Sequence, residues 1–113
     1  MLKSSEFIKG YTEIIVCSLL YKKDDYIYSL VKRITEHSGG EIQITNPSLL
    51  MVMKKLLAEG KITSYKEESL SGADRKYYSL TPEGRKYYEE NYESYTCSLK
   101  TLKNLIEEGN NNA

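Results

Sequence analysis

Four pairs of adjacent acids punctuate the chain: Asp24-Asp25, Glu67-Glu68, Glu89-Glu90 and Glu107-Glu108. Two carboxylates converging in a cleft are a minimal kit for general acid–base work. Here every pair falls in a polar stretch and reads as solvated charge. His37 is the only histidine and sits at an expected helix C-terminus, where partial positive charge is favoured. Cys17 and Cys97 lie far apart, each within a helical pattern, which suits reduced core or interface thiols better than a disulfide. None of these groups has metal-ligand spacing. No nucleophile–base pair is visible, so an enzyme is not expected, and neither is a metal or a cofactor.

A second set of residues suits the recognition of phosphate and base edges. Thr45-Asn46-Pro47-Ser48 opens an apolar-periodic segment. A hydroxyl and free backbone N–H groups in a first helical turn meet phosphates or bases well. Met51, Lys54 and Lys55 follow on outward or flanking positions of the same segment. Further on, Arg75-Lys76-Tyr77 places basic and aromatic groups beside the turn residues Ser69 to Asp74. Such a tip can lay a cation against phosphate or into a minor groove.

These groups need elements to position them. Apolar residues from Phe7 to Leu20 recur at helical spacing on more than one face, implying a first helix over residues 6 to 21. Ile27, Leu30, Val31 and Ile34 form a second helical stripe, which an Asp of Asp24-Asp25 can cap and Gly39-Gly40 ends. Glu41 to Thr45 alternates polar and apolar, the pattern of a short strand. Asn46 as N-cap and Pro47 at the first turn start a third helix with Leu49, Leu50, Met53, Leu56 and Leu57 inward, closed by Gly60. Ile62 to Glu68 and Arg75 to Leu80 read as a hairpin. Thr81-Pro82 repeats the cap-plus-proline signal and opens a long helix. Its seam of Tyr88, Tyr92, Tyr95, Leu99, Leu102 and Ile106 follows a heptad rhythm rather than a globular stripe.

The order is that of an α+β, mainly α fold: a winged helix-turn-helix with a long C-terminal dimerisation helix. Residues 1 to 80 form the expected DNA-binding domain, 81 to 108 the dimerisation helix and 109 to 113 a disordered tail. A seam of about 27 Å by helical rise cannot bury itself. A second copy, giving a two-fold homodimer, is its simplest partner.

The matching residues resemble the PadR family of bacterial transcriptional regulators. They are Gly10 to Ile14, Tyr26 to Leu30, Ser48-Leu49-Leu50, Lys54 to Ile62 and, most specifically, Arg75 to Gly84. The chain is most similar to the short, LmrR-like members with one C-terminal helix. The resemblance implies a homodimer on a pseudo-palindromic double-stranded DNA operator, with wings about one helical turn, ~34 Å, apart. It also implies that the last helix pairs with its mate and with the first helix. Two departures bear on the contacts. The recognition helix starts Ser48-Leu49-Leu50 where the family has Thr-Leu-Tyr, and Tyr28-Ser29 stands where it has Tyr-Gly.

Two readings of the seam tyrosines stand side by side. One is plain interface packing. The other is a flat pocket at the dimer centre, formed by Tyr11, Tyr88, Tyr92, Tyr95 and Leu99, for a small hydrophobic or aromatic effector; a phenol in a seam needs a partner or water. The resemblance implies the second, because Tyr95 falls where LmrR-like sensors carry a drug-stacking tryptophan.

Length and charge set the outer limits. A chain of 113 residues suits one domain with an appended element. The 16 basic and 16 acidic residues cancel, although a nucleic-acid reader ordinarily carries a basic excess. The distribution resolves part of this. Residues 1 to 80 hold 12 basic and 10 acidic groups, and residues 81 to 113 hold 4 and 6. Net neutrality and Leu50 nevertheless favour an alternative, a winged-helix protein-interaction module without specific DNA binding. No signal-like or membrane-length apolar run occurs, so a soluble cytoplasmic protein is expected.

Overall fold

The computed structural model describes residues 10 to 68 and 70 to 111, with side chains through residue 108. Phe7 and Ile8 of the expected first helix, and Ser69 of the expected turn, lie outside the described residues. Four helices and a hairpin follow: α1 (Thr12–Lys22), α2 (Ile27–His37), α3 (Asn46–Ala58), β1 (Ile62–Glu68), β2 (Asp74–Leu80) and α4 (Pro82–Asn111).

Helix α1 is the core helix. Ile14, Val16, Cys17, Leu19 and Leu20 are all buried, which accounts for apolar residues on more than one of its faces. Around it Leu30 and Ile34 of α2, Leu49, Met53 and Leu56 of α3, and Ile62 and Tyr78 of the hairpin close a single cluster. Helices α2 and α3 end alike. Gly39 and Gly60, both at positive φ, follow the caps and let the chain fold back onto the last turn. Gly40 N–H donates to Thr35 O (2.8 Å) and Lys61 N–H to Leu56 O (3.0 Å). Carbonyls that the helix leaves without a partner are thereby satisfied.

Strands β1 and β2 pair antiparallel with Ile62 opposite Leu80, Tyr65 opposite Tyr77 and Glu67 opposite Arg75. Only the base of the hairpin is buried; its tip is exposed. The expected strand at residues 41 to 45 does not form. Asp25, in the turn between α1 and α2, takes the free edge of β2: Tyr78 N–H donates to Asp25 O (2.8 Å), and Asp25 N–H to Tyr78 O (3.2 Å). Among the described residues, the segment from 41 to 45 joins no strand ladder. It is held instead by Ile42 N–H donating to Ser38 Oγ (3.0 Å), with Ile42 and Ile44 packed against the core.

Two capping expectations are corrected in detail. The N-cap of α3 is Thr45, whose Oγ1 accepts from Ser48 N–H at 3.2 Å, while Asn46 is already helical. The cap of α2 is Tyr26 without a side-chain bond; Asp25 instead accepts from Tyr26 N–H at 3.0 Å. At the start of α4, Thr81 Oγ1 accepts from Gly84 N–H (3.0 Å) and donates to Gly60 O (2.6 Å). Gly84 lies against Lys61, and a Cβ there would run into the Lys61 carbonyl. Helix α4 therefore crosses the end of α3 at a distance only glycine allows.

Helix α4 continues to Asn111, so residues 109 to 111, expected in a tail, have helical backbone. Its first half packs on α1: Tyr21 meets Tyr88 (ring centroids 4.9 Å), Arg85 sits over Tyr21 (4.4 Å) and Tyr11 meets Tyr95 (5.5 Å). Beyond Thr96, Leu99, Leu102, Leu105 and Ile106 are exposed.

Candidate nucleic-acid interface and tyrosine groove

The inward stripe of α3 leaves a continuous outer face. Thr45, Asn46, Ser48, Met51, Lys54 and Lys55 are all exposed, Met51 by 73%. The first turn is rigidly built, since Thr45 Oγ1 also donates to Ser48 Oγ (2.9 Å). The two lysines differ. Lys55 Nζ is ion-paired with Glu13 Oε2 of α1 at 2.7 Å, and the hydrogen bond to Glu13, followed by its charge, raises the ammonium pKa. Lys54 has no such ion pair among the described residues.

On the hairpin, Arg75 and Lys76 are exposed and Tyr77 is half-buried. The Tyr77 ring is held between Tyr26 (5.3 Å, edge-on) and Tyr65 (5.8 Å, stacked). Arg75 lies over Tyr26, its Cζ 4.7 Å from the ring centroid, and Lys76 Nζ lies 5.7 Å from the Tyr78 centroid. Tyr65 Oη donates to Asp24 Oδ2 at 2.7 Å, which pushes the phenol pKa up to about 12. Below this stack, buried Asp25 accepts from Ser29 Oγ (2.7 Å) and from Arg33, an ion pair of 2.8 Å. The α1–α2 turn thus grips the wing through Asp24, Asp25 and Tyr26. Sequence reasoning placed Tyr26 and Asp24 only as flanks of α2. The pairing with Tyr65 and Arg75 joins residues some forty to fifty positions apart and leaves no local signal.

The tyrosines of α4 face α1 across a groove of about 210 Å³, lined by Ile14, Ile15, Leu19, Tyr88, Tyr92 and Tyr95 among others. Tyr95 is also a wall of a second hollow of about 400 Å³ shared with Tyr11 and Asn91. Four of the expected effector residues, Tyr11, Tyr88, Tyr92 and Tyr95, therefore border adjoining hollows. Leu99 borders neither. Tyr87, outside the expected set, is held protonated: burial first, then a hydrogen bond with Tyr95, pushes its phenol pKa well above the ordinary range. Leu105 joins the exposed apolar face and was not in the expected seam. Among the described residues no cluster of His, Cys, Asp and Glu can hold a metal, and no helix is long and apolar enough to cross a membrane.

Residues 16 to 90 match the family model of the PadR-like transcriptional regulators. The chain belongs to this family. A transcriptional regulator from Clostridium thermocellum superposes with a TM-score of 0.81 at 32% identity, covering 93% of this chain and 99% of that one. A PadR family transcription regulator from Clostridium difficile R20291 gives 0.75 at 29% identity over 86% and 99% of the two chains. An uncharacterised protein from Lysinibacillus sphaericus is 29% identical over 105 residues, 93% of this chain and 95% of its own. PadR-like proteins are transcription regulators rather than enzymes; they bind DNA and are generally dimeric. In this PadR-like chain the winged helix-turn-helix and the long last helix are both present, as the sequence led us to expect.

Proposed function

We propose that this PadR-like chain is a cytoplasmic repressor that binds a pseudo-palindromic operator as a homodimer, with α3 in the major groove and the hairpin against the backbone. The observation that carries the reading is the exposed outer face of α3: Ser48, Met51 and Lys54 project from the helix that enters DNA in this fold. The exposed Leu99, Leu102, Leu105 and Ile106 support pairing with a second copy through α4. We further place the chain with the LmrR-like members. A small planar aromatic effector would insert at the dimer centre against Tyr95, and it must favour one wing arrangement to relieve repression.

Footprinting on the chain's own upstream region tests the DNA reading. Protection of two half-sites about one helical turn apart is expected; absence of any protected site at moderate salt refutes it. For the effector, quenching of tyrosine emission by planar aromatic compounds is expected in the dimer. Tyr95→Ala should blunt that response more than operator affinity, and the opposite pattern refutes the division of labour.

A second reading, a protein-interaction module without specific DNA binding, draws on the charge of the wing. Lys66, Arg75 and Lys76 are balanced by Glu67, Glu68 and Asp74 across its two strands. The salt slope separates the two readings: an operator complex weakens steeply with salt as counterions return to the DNA, whereas a protein module shows no operator complex to weaken.

A further inference from the structure

We infer that Tyr26, at the entry to α2, is a positioning residue for DNA binding: its ring holds the Arg75 guanidinium in place at the wing. The inference rests on the reading of the wing as a backbone contact, and it adds to that reading a residue outside both the recognition helix and the hairpin. Tyr26 is itself held at its backbone and at its ring. Its N–H is held by Asp25 (3.0 Å), its ring meets the Tyr77 ring (5.3 Å), and Tyr77 stacks on Tyr65, whose phenol is bonded to Asp24 (2.7 Å). Asp25 is anchored by the ion pair to Arg33 and by its backbone bonds to Tyr78. The platform is therefore rigid although the hairpin tip around it is exposed.

Arg75 is exposed and sits over this platform at 4.7 Å. A guanidinium has five N–H donors in one plane, and contact with a ring through its π system leaves outward-facing donors free for phosphate oxygens. The free side chain has many rotamers, and freezing it at the moment of binding opposes association. Held over Tyr26, Arg75 has lost much of that freedom beforehand. A cation–ring contact at an exposed site changes an equilibrium constant about two- to fivefold per head, so two heads give about four- to twenty-five-fold.

The test is a double-mutant cycle on the dimer, read by fluorescence anisotropy with a labelled duplex from the chain's own upstream region. The variants are Arg75→Ala, Tyr26→Leu, Tyr26→Phe and the Arg75→Ala/Tyr26→Leu pair. Leucine keeps apolar bulk at position 26 without a π face, and phenylalanine keeps the face without the hydroxyl. Thermal unfolding of each variant checks that the head is folded. Arg75→Ala and Tyr26→Leu should each weaken binding, the pair should be no weaker than Arg75→Ala alone, and Tyr26→Phe should bind as the unmodified chain does. If Arg75→Ala leaves affinity unchanged, the wing reading itself is wrong and the inference goes with it. If Arg75→Ala weakens binding but Tyr26→Leu has no effect, or adds in full to Arg75→Ala, the wing reading stands and the positioning role of Tyr26 is overturned.

Discussion

The winged head and the distal half of α4 obey opposite rules. In the head, buried groups find partners within the chain: Asp25 has Ser29, Arg33 and a backbone N–H, and Leu30, Leu49, Met53 and Leu56 are fully buried. In the distal helix polar bonds are local, such as Ser98 to Ser94 O and Lys103 to Glu107, while Leu99, Leu102, Leu105 and Ile106 stay about half or more exposed. Pairs spaced i,i+4 contribute only a few tenths of a kcal/mol each, ~0.3. The difference teaches that the head carries its own stability, whereas the outer helix presents an apolar face that the chain itself leaves uncovered; on the proposed pairing, its stability depends on protomer concentration.

The largest expected effect tests that contrast directly. Leu102→Lys with Ile106→Lys should convert the protein to a monomer in sedimentation while the head keeps its fold. Loss of two-headed binding should then weaken the operator complex by about a hundredfold or more. A dimer that survives this change would erase the contrast. Next is Asp25→Ala in the head. Leaving Arg33 without its ion pair, and Ser29 Oγ and Tyr26 N–H without their acceptor, should cost about 3 kcal/mol in urea unfolding at matched protomer concentration. A change no larger than that of a surface substitution would show that the Asp25 carboxylate does not hold the turn.

Smaller effects sharpen the picture on α3. Lys54→Ala should lower the salt slope of DNA binding by about one per head. Lys55→Ala should change it less, because Glu13 already holds that ammonium at 2.7 Å. Equal effects would mean that the ion pair opens on DNA. The smallest effect concerns the thiols. Cys17 is buried, and burial pushes its pKa up to about 11, whereas Cys97 is exposed. A raised pKa means that the unfolded chain gives up the proton first. Stability from the Cys17 thiol is therefore complete below the unfolded value of 9.0 and is lost as pH rises through about 11. At pH 8 a thiol reagent should titrate Cys97 at once and Cys17 only after denaturant is added; fast reaction of both would show that the core opens.

Local signals read well wherever the chemistry was local. Thr81-Pro82 gives a capped helix start, Gly60 a helix stop, and the turn-rich stretch after Glu68 a hairpin. Residues 41 to 45 read as a strand because alternation reports only which side faces the core; the segment keeps Ile42 and Ile44 inward without a ladder. For the site, the outward positions of α3 followed from period alone. The difference between Lys54 and Lys55 did not, since it depends on Glu13 lying across from one of them.

What the sequence determined by itself is whatever depends on period and backbone preference: the helices, the hairpin, the outward face of α3, and an apolar seam too long to bury itself. Only the tertiary structure decided which charges are free and which are held. It placed Asp25 on the edge of β2, Glu13 on Lys55 and Tyr26 beneath Arg75. The physical reason is range. Helical and turn propensities act over about four residues, whereas an ion pair or a ring contact joins any two residues that packing brings together, and packing is a property of the whole core.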